Sequence, residues 1–106
     1  MDFKVYTSSG FDKKFEKFPK DMQSRILKIV NSLVSNPFAG KPLGYRFLRE
    51  KHFDGFRLYF IVSEQHGIVY VISLSSKKDQ KIVINTIKLF LDEYEEEIRR
   101  LAFRWV

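Results

Sequence analysis

Apolar and polar positions alternate with a period of two over residues 3–7, where Phe3 and Val5 interleave with Lys4 and Tyr6, and this alternation predicts a short first strand. The period then changes. Phe11, Phe15 and Phe18 fall at helical spacing, with Lys13, Lys14 and Lys17 outside the stripe and Ser8 and Ser9 placed to cap a helix. Pro19 interrupts that stripe and suits the first turn of a second helix, whose buried face is Met22, Ile26, Ile29, Val30, Leu33 and Val34, ending near Ser35. Together the two stripes predict a helical hairpin. The segment Asn36-Pro37-Phe38-Ala39-Gly40-Lys41-Pro42-Leu43-Gly44 carries two Pro and two Gly and reads as a loop. Three strands follow, over residues 45–50, 56–63 and 68–74, and the short connection Glu64-Gln65-His66-Gly67 makes antiparallel pairing the expectation. Beyond Ser75, the positions Ile84, Ile87, Leu91, Tyr94, Ile98, Leu101 and Trp105 are spaced alternately by three and four, the stripe of a C-terminal helix. That stripe suits packing on a sheet or a coiled-coil seam, and packing on the sheet is the commoner arrangement. The fold class expected is α+β, with an antiparallel sheet of about four strands, an N-terminal helical hairpin on one face and a C-terminal helix.

Length confines these elements to a single domain over residues 1–106, because 106 residues are enough for one core and too few for two. Composition adds little to this picture, with 44% apolar and 30% charged residues in an ordinary globular balance. Charge adds more: a net charge of +6 and a pI near 9.6 favour an anionic partner. With no Cys and two His, a disulfide framework, thiol chemistry and a structural zinc site are all disfavoured, so neither a metal nor a cofactor is expected. The first residues lack an apolar signal core, and no run approaches the roughly 18 apolar residues of a membrane span. The expectation is a soluble, cytoplasmic protein that does not enter a membrane.

Candidate chemistry concentrates in residues 40–62, where cations interleave with strand-forming apolar residues. Arg57 stands inside the run Phe56-Arg57-Leu58-Tyr59-Phe60, where an arginine is costly to bury without a partner. A phosphate at the sheet surface would satisfy it, and so would a structural ion pair with Asp54 or Glu64. Lys41, Arg46, Arg49 and Lys51 surround it in sequence and would extend a basic surface able to bind RNA. His52 is the histidine inside this cluster; with an unperturbed pKa of about 6.5 it suits proton transfer, or it is a solvent-facing loop residue. His66, in a hairpin turn, carries no role. A lysine could act as base if Lys51, Lys77 and Lys78 lowered one another's pKa by repulsion. Tyr45, Phe47 and Phe53 could stack on exposed bases, although with 11 Phe in the chain core packing is the simpler use of most aromatics. Lys13, Lys14, Lys17 and Lys20 form a basic face that either touches nucleic acid or is solvated. Glu93, Glu95, Glu96 and Glu97, followed by Arg99, Arg100 and Arg104, suit self-association or solvent. Glu50 and Asp54 are too few among cations to suggest a glycosidase or a metal nuclease.

The order strand, two helices, then three strands resembles the RelE/ParE toxin superfamily over roughly residues 3–94. The pieces that carry the resemblance are the helix end leading into Asn36-Pro37, then Gly40-Lys41-Pro42-Leu43, Gly55-Phe56-Arg57-Leu58-Tyr59, Val71-Ile72-Ser73-Leu74 and the pair Lys77-Lys78. The resemblance implies a toxin of a toxin–antitoxin module. Its RelE branch consists of metal-independent endoribonucleases that cleave mRNA on the ribosome. Its ParE branch inhibits DNA gyrase and cleaves nothing, and an inactive RNA-binding relative is a third possibility. By this likeness Arg57 contacts the scissile phosphate, Arg49 and Lys51 match basic positions on the preceding strand across an insertion at residues 52–54, and Lys77, with Lys78 as substitute, takes the place of an arginine after the last strand. The catalytic set implied is Arg57, Lys77 and Lys51, and the RNA-binding set is Arg49, Arg46, Lys41, Lys78, His52 and Phe53. The family's catalytic tyrosine should fall near Ile82 or Val83 and is missing; Lys77-Lys78 followed by Gln80 is similar to the HigB-like branch. The partners implied are a cognate antitoxin laid across the basic sheet as an amphipathic helix or strand, mRNA and the ribosome, or gyrase in the alternative, with a homodimer or a hetero-oligomer with the antitoxin as the assembly.

Overall fold

The computed structural model describes residues 2–104. The elements in chain order are β1 (Lys4–Thr7), α1 (Ser9–Glu16), α2 (Lys20–Ser32), a single 3₁₀ turn (Pro37–Ala39), β2 (Lys41–Tyr45), β3 (Leu48–Phe53), β4 (Phe56–Ser63), β5 (Ile68–Ser76), α3 (Gln80–Leu89) and α4 (Leu91–Ala102). The sheet has five strands in the order β1-β5-β4-β3-β2. The pairs β2·β3, β3·β4 and β4·β5 are antiparallel, whereas β1 runs parallel to β5. No helix is long and apolar enough to cross a membrane, among the described residues.

Alternate residues of a strand point to opposite faces, and here both faces are covered. On one face Leu58, Phe60, Val62, Val69, Val71 and Leu74 pack against Phe11, Ile26, Val30 and Leu33 from the α1–α2 region. On the other, Leu48, Tyr59, Ile61, Ile68, Tyr70 and Ile72 pack against Ile87 and Ile98 of α3 and α4. β4 and β5 are therefore buried on both sides, which is why residues 56–63 and 68–76 read as nearly continuous apolar runs.

Four expectations are corrected. The sheet has a fifth strand, β2, inside the segment expected to be a loop; Pro42 and Gly44 are tolerated because β2 is an edge strand, with a register shift between Pro42 and Tyr45 and Gly44 at φ 92°. The strand expected over residues 45–50 begins at Leu48 and continues through His52 to Phe53. Asp54 (φ 43°) and Gly55 (φ 80°) form the two-residue turn into β4, the positive-φ geometry that an Asp-Gly pair supplies to hairpins. The C-terminal stripe is divided between two helices that break at Phe90 (φ −111°, ψ 19°), and Ile84, Ile87, Leu91, Tyr94, Ile98 and Leu101 all face the sheet. Trp105 lies outside the described residues. Finally, α1 and α2 do not pack mainly on each other as a hairpin: both bury their stripes against the sheet, and Gln23 joins them by donating to the carbonyls of Phe15 and Phe18.

β5 outruns β1, which pairs with it only from Ile68 to Val71. Past that point α1 takes over. Ser8, which caps α1 by accepting from the Phe11 N–H, also donates to the Ile72 carbonyl, and Lys14 Nζ donates to the Leu74 carbonyl and the Ser73 hydroxyl, each at 3.0 Å. Burial holds the Lys14 ammonium below the usual lysine range, with the Asp79 carboxylate opposing the shift.

Candidate active site

The β3–β4 and β4–β5 pairings bring His52, Arg57 and Ser75 into one row across three strands. The next row on the same face is Glu50, Tyr59 and Ser73, and Lys41 of β2 stands opposite Glu50. The site is thus built on strands of the central sheet, which hold side chains more rigidly than loops do.

Arg57 is 8% exposed. Its Nη1 donates to the Gly55 carbonyl at 3.0 Å, and its Nε is buried with no hydrogen-bond partner among the described residues. Neither carboxylate offered by the sequence as a structural partner reaches it: Asp54 pairs with Arg25, and Glu64 pairs with Arg46 at 3.5 Å. A guanidinium buried to this degree, with a single backbone acceptor, retains donors for an anion.

Beside it, His52 is on a strand and not in a loop. Its Nε2 lies 2.7 Å from Oε1 of Glu50, a carboxylate that is 1% exposed, while the imidazole is half-exposed. A carboxylate can only accept, so Nε2 carries the proton and Nδ1 is the nitrogen left to exchange one. Gln80, the first residue of α3, donates to both Glu50 oxygens at 2.9 and 3.0 Å. The Tyr59 hydroxyl is 2.7 Å from Ser75 Oγ. Burial pushes the Tyr59 phenol up, the Glu50 carboxylate adds to the effect, and the Ser75 hydrogen bond and the Arg57 guanidinium oppose it. Those influences place Glu50, Arg57 and Tyr59 within one electrostatic neighbourhood.

Lys77 follows β5 directly, is exposed, and its backbone N–H bonds the same Gly55 carbonyl that Arg57 uses, so it stands at the rim of the site. Lys78 is exposed in the same turn. The other candidates are not brought together. Lys51 pairs with Leu58, whose side chain lies in the α1–α2 core, and so stands on the opposite face of the sheet from Arg57. Arg49 shares that face and is buried, with Nε, Nη1 and Nη2 donating to the carbonyls of Gly40, Arg46 and Phe38; it fastens the chain before and after β2. Arg46 lies at the far end of β3, over the Phe38 ring. Phe53 packs on the first core and stacks with Phe56.

Glu50, set aside above as a carboxylate among cations, and Gln80, noted above only for its spacing from Lys77-Lys78, are members for which no site role was expected. The signal for Glu50 was its spacing: residues i and i+2 of a strand share a face, so a strand through His52 sets Glu50 beside it.

No protein-family model matches the chain, and no curated protein matches it. Solved structures do. The free toxin RelE of E. coli, as a double arginine mutant, superposes with a TM-score of 0.71 at 18% identity, over 83% of this chain and 97% of that one. The chain has the fold of the RelE toxins. Two further RelE-like matches come from complexes with antitoxins: the RelBE2 complex of Mycobacterium tuberculosis (TM-score 0.65, 16% identity, 73% of this chain and 100% of that chain) and the archaeal RelE–RelB complex of Pyrococcus horikoshii OT3 (0.64, 18%, 73% and 97%). At such identities the likeness to RelE is one of fold, and roles must be argued from the side chains present.

Proposed function

We propose that this chain is the toxin of a toxin–antitoxin pair and a metal-independent endoribonuclease that cleaves mRNA on the ribosome. The observation that carries the reading is an arginine buried without a carboxylate partner among the described residues, beside an imidazole held by a buried carboxylate. RNA cleaves itself when its 2′-oxygen attacks the neighbouring phosphorus, with loss of the 2′-hydroxyl proton, growth of negative charge on the phosphate and protonation of the departing 5′-oxygen. Arg57 binds the phosphate and offsets the developing charge with its remaining N–H groups. His52 accepts the 2′-hydroxyl proton at Nδ1, while Glu50 fixes the tautomer and stabilises the imidazolium. Lys77 at the rim, with Lys78 and Lys41, adds positive field along the RNA backbone, and Lys77 protonates the leaving oxygen. The absence of a tyrosine near Ile82 is no obstacle to this scheme, since the histidine supplies the base.

The antitoxin follows from the same reading. Both complexes above pair a RelE-like chain with a RelB antitoxin, and the exposed cations Lys41, Lys77 and Lys78 around the site suit a small acidic partner. The test is to map mRNA 5′ ends after induction in cells. New ends at defined codon positions are expected. Loss of DNA supercoiling without new ends would replace this reading with gyrase inhibition.

A further inference from the structure

We infer that Gln80 is a positioning residue for the proton-transfer histidine, acting through Glu50; this rests on the reading of His52 as the base. Glu50 is enclosed, and a carboxylate in that position needs its lone pairs occupied. Gln80 supplies the occupancy from another element, with one amide nitrogen across both oxygens at 2.9 and 3.0 Å, which fixes the plane of the carboxylate. One of those oxygens is the Oε1 that receives His52 at 2.7 Å. His52 itself is half-exposed, and its hydrogen bond to the carboxylate orients the ring. The side-chain amide of Gln80 donates to Glu50, and its contribution is geometric. It also makes the catalytic row depend on the first turn of α3, a helix thirty residues further along the chain from Glu50.

The experiment uses the full chain in three forms: wild type, Gln80→Met, which keeps the length and removes the donors, and Gln80→Lys, which returns donors at similar reach. One readout is independent of activity. The Nε2–H proton of His52, bonded to Glu50, should give a slowly exchanging downfield NMR resonance in the wild type, lost by exchange in Gln80→Met and recovered in Gln80→Lys. The second readout is cleavage of mRNA on programmed ribosomes, where kcat should fall about tenfold in Gln80→Met, the scale of one charge-assisted hydrogen bond, with KM within about twofold. A wild type without that resonance, or a Gln80→Met protein that keeps it, overturns the inference. So does a drop confined to KM. If the wild type cleaves no RNA while the resonance behaves as described, positioning stands and the nuclease reading alone falls.

Discussion

Two arginines eight residues apart have opposite fates, and the difference is one of acceptors. Arg49 spends its donors on the carbonyls of Phe38, Gly40 and Arg46, whereas Arg57 spends one on Gly55 and keeps a buried Nε unpaired. Replacing Arg57 with Ala should therefore lower cleavage at least about 100-fold while leaving the thermal melt nearly unchanged, because the lost stabilisation lies in the transition state. Arg57→Lys should stay impaired, since a point charge cannot replace the planar fork. Melts and single-turnover cleavage on the purified variants check both; a folded Arg57→Ala protein with full activity removes Arg57 from the site. Arg57 was legible in the sequence because it interrupts an apolar run. The structural use of Arg49 was not, because its acceptors are main-chain carbonyls of a segment whose place is set only by tertiary packing. His52 was legible as the imidazole among cations, but its partner required knowing which residues share a face.

Strands and helices were legible where their patterns are long. β1, β4, β5 and the stripes of α1 and α2 fall where apolar spacing put them, while β2 was hidden by its Pro and Gly, residues that signal a loop unless the strand is known to lie at an edge. The β3–β4 turn had its own signal in Asp54-Gly55, a strong hairpin pair that became decisive only once β3 was known to run on to Phe53. The break at Phe90 has no Gly or Pro to announce it, and the apolar spacing runs through it unchanged. Within β2 and its approach, Gly40 is the most constrained point. A Cβ there would lie 2.7 Å from the Glu50 carbonyl oxygen and 2.9 Å from Cζ of Phe60, and the first of these is backbone that cannot yield. Gly40→Ala should cost about 1–3 kcal/mol in denaturant unfolding, as overpacking does. A loss below about 0.5 kcal/mol would mean that the β2–β3 pair shifts freely.

At the scale of the molecule, a sheet closed on both faces buries polar groups that titrate. The phenols of Tyr59, Tyr70 and Tyr94 are pushed above their ordinary value of 10.0, chiefly by burial. The fold favours their neutral form, so the stability they contribute is complete below that value and is lost as pH rises through the raised one. Lys14 works the other way: its lowered value means a cost present at neutral pH that is relieved as pH climbs toward 10.5. The urea midpoint should therefore fall once pH rises past the ordinary phenol value of 10.0, and a Tyr70→Phe, Tyr94→Phe double variant should lose less above that value. An identical fall in the double variant would show that those two rings do not govern it. Lys14 has a second consequence. The part of β5 beyond β1 would otherwise present bare carbonyls to any passing strand, but the Ile72 and Leu74 carbonyls are already occupied by Ser8 and Lys14. An incoming chain would have to strip off a hydroxyl and an ammonium before it could pair, so the border of the longest strand is a poor template for strand addition.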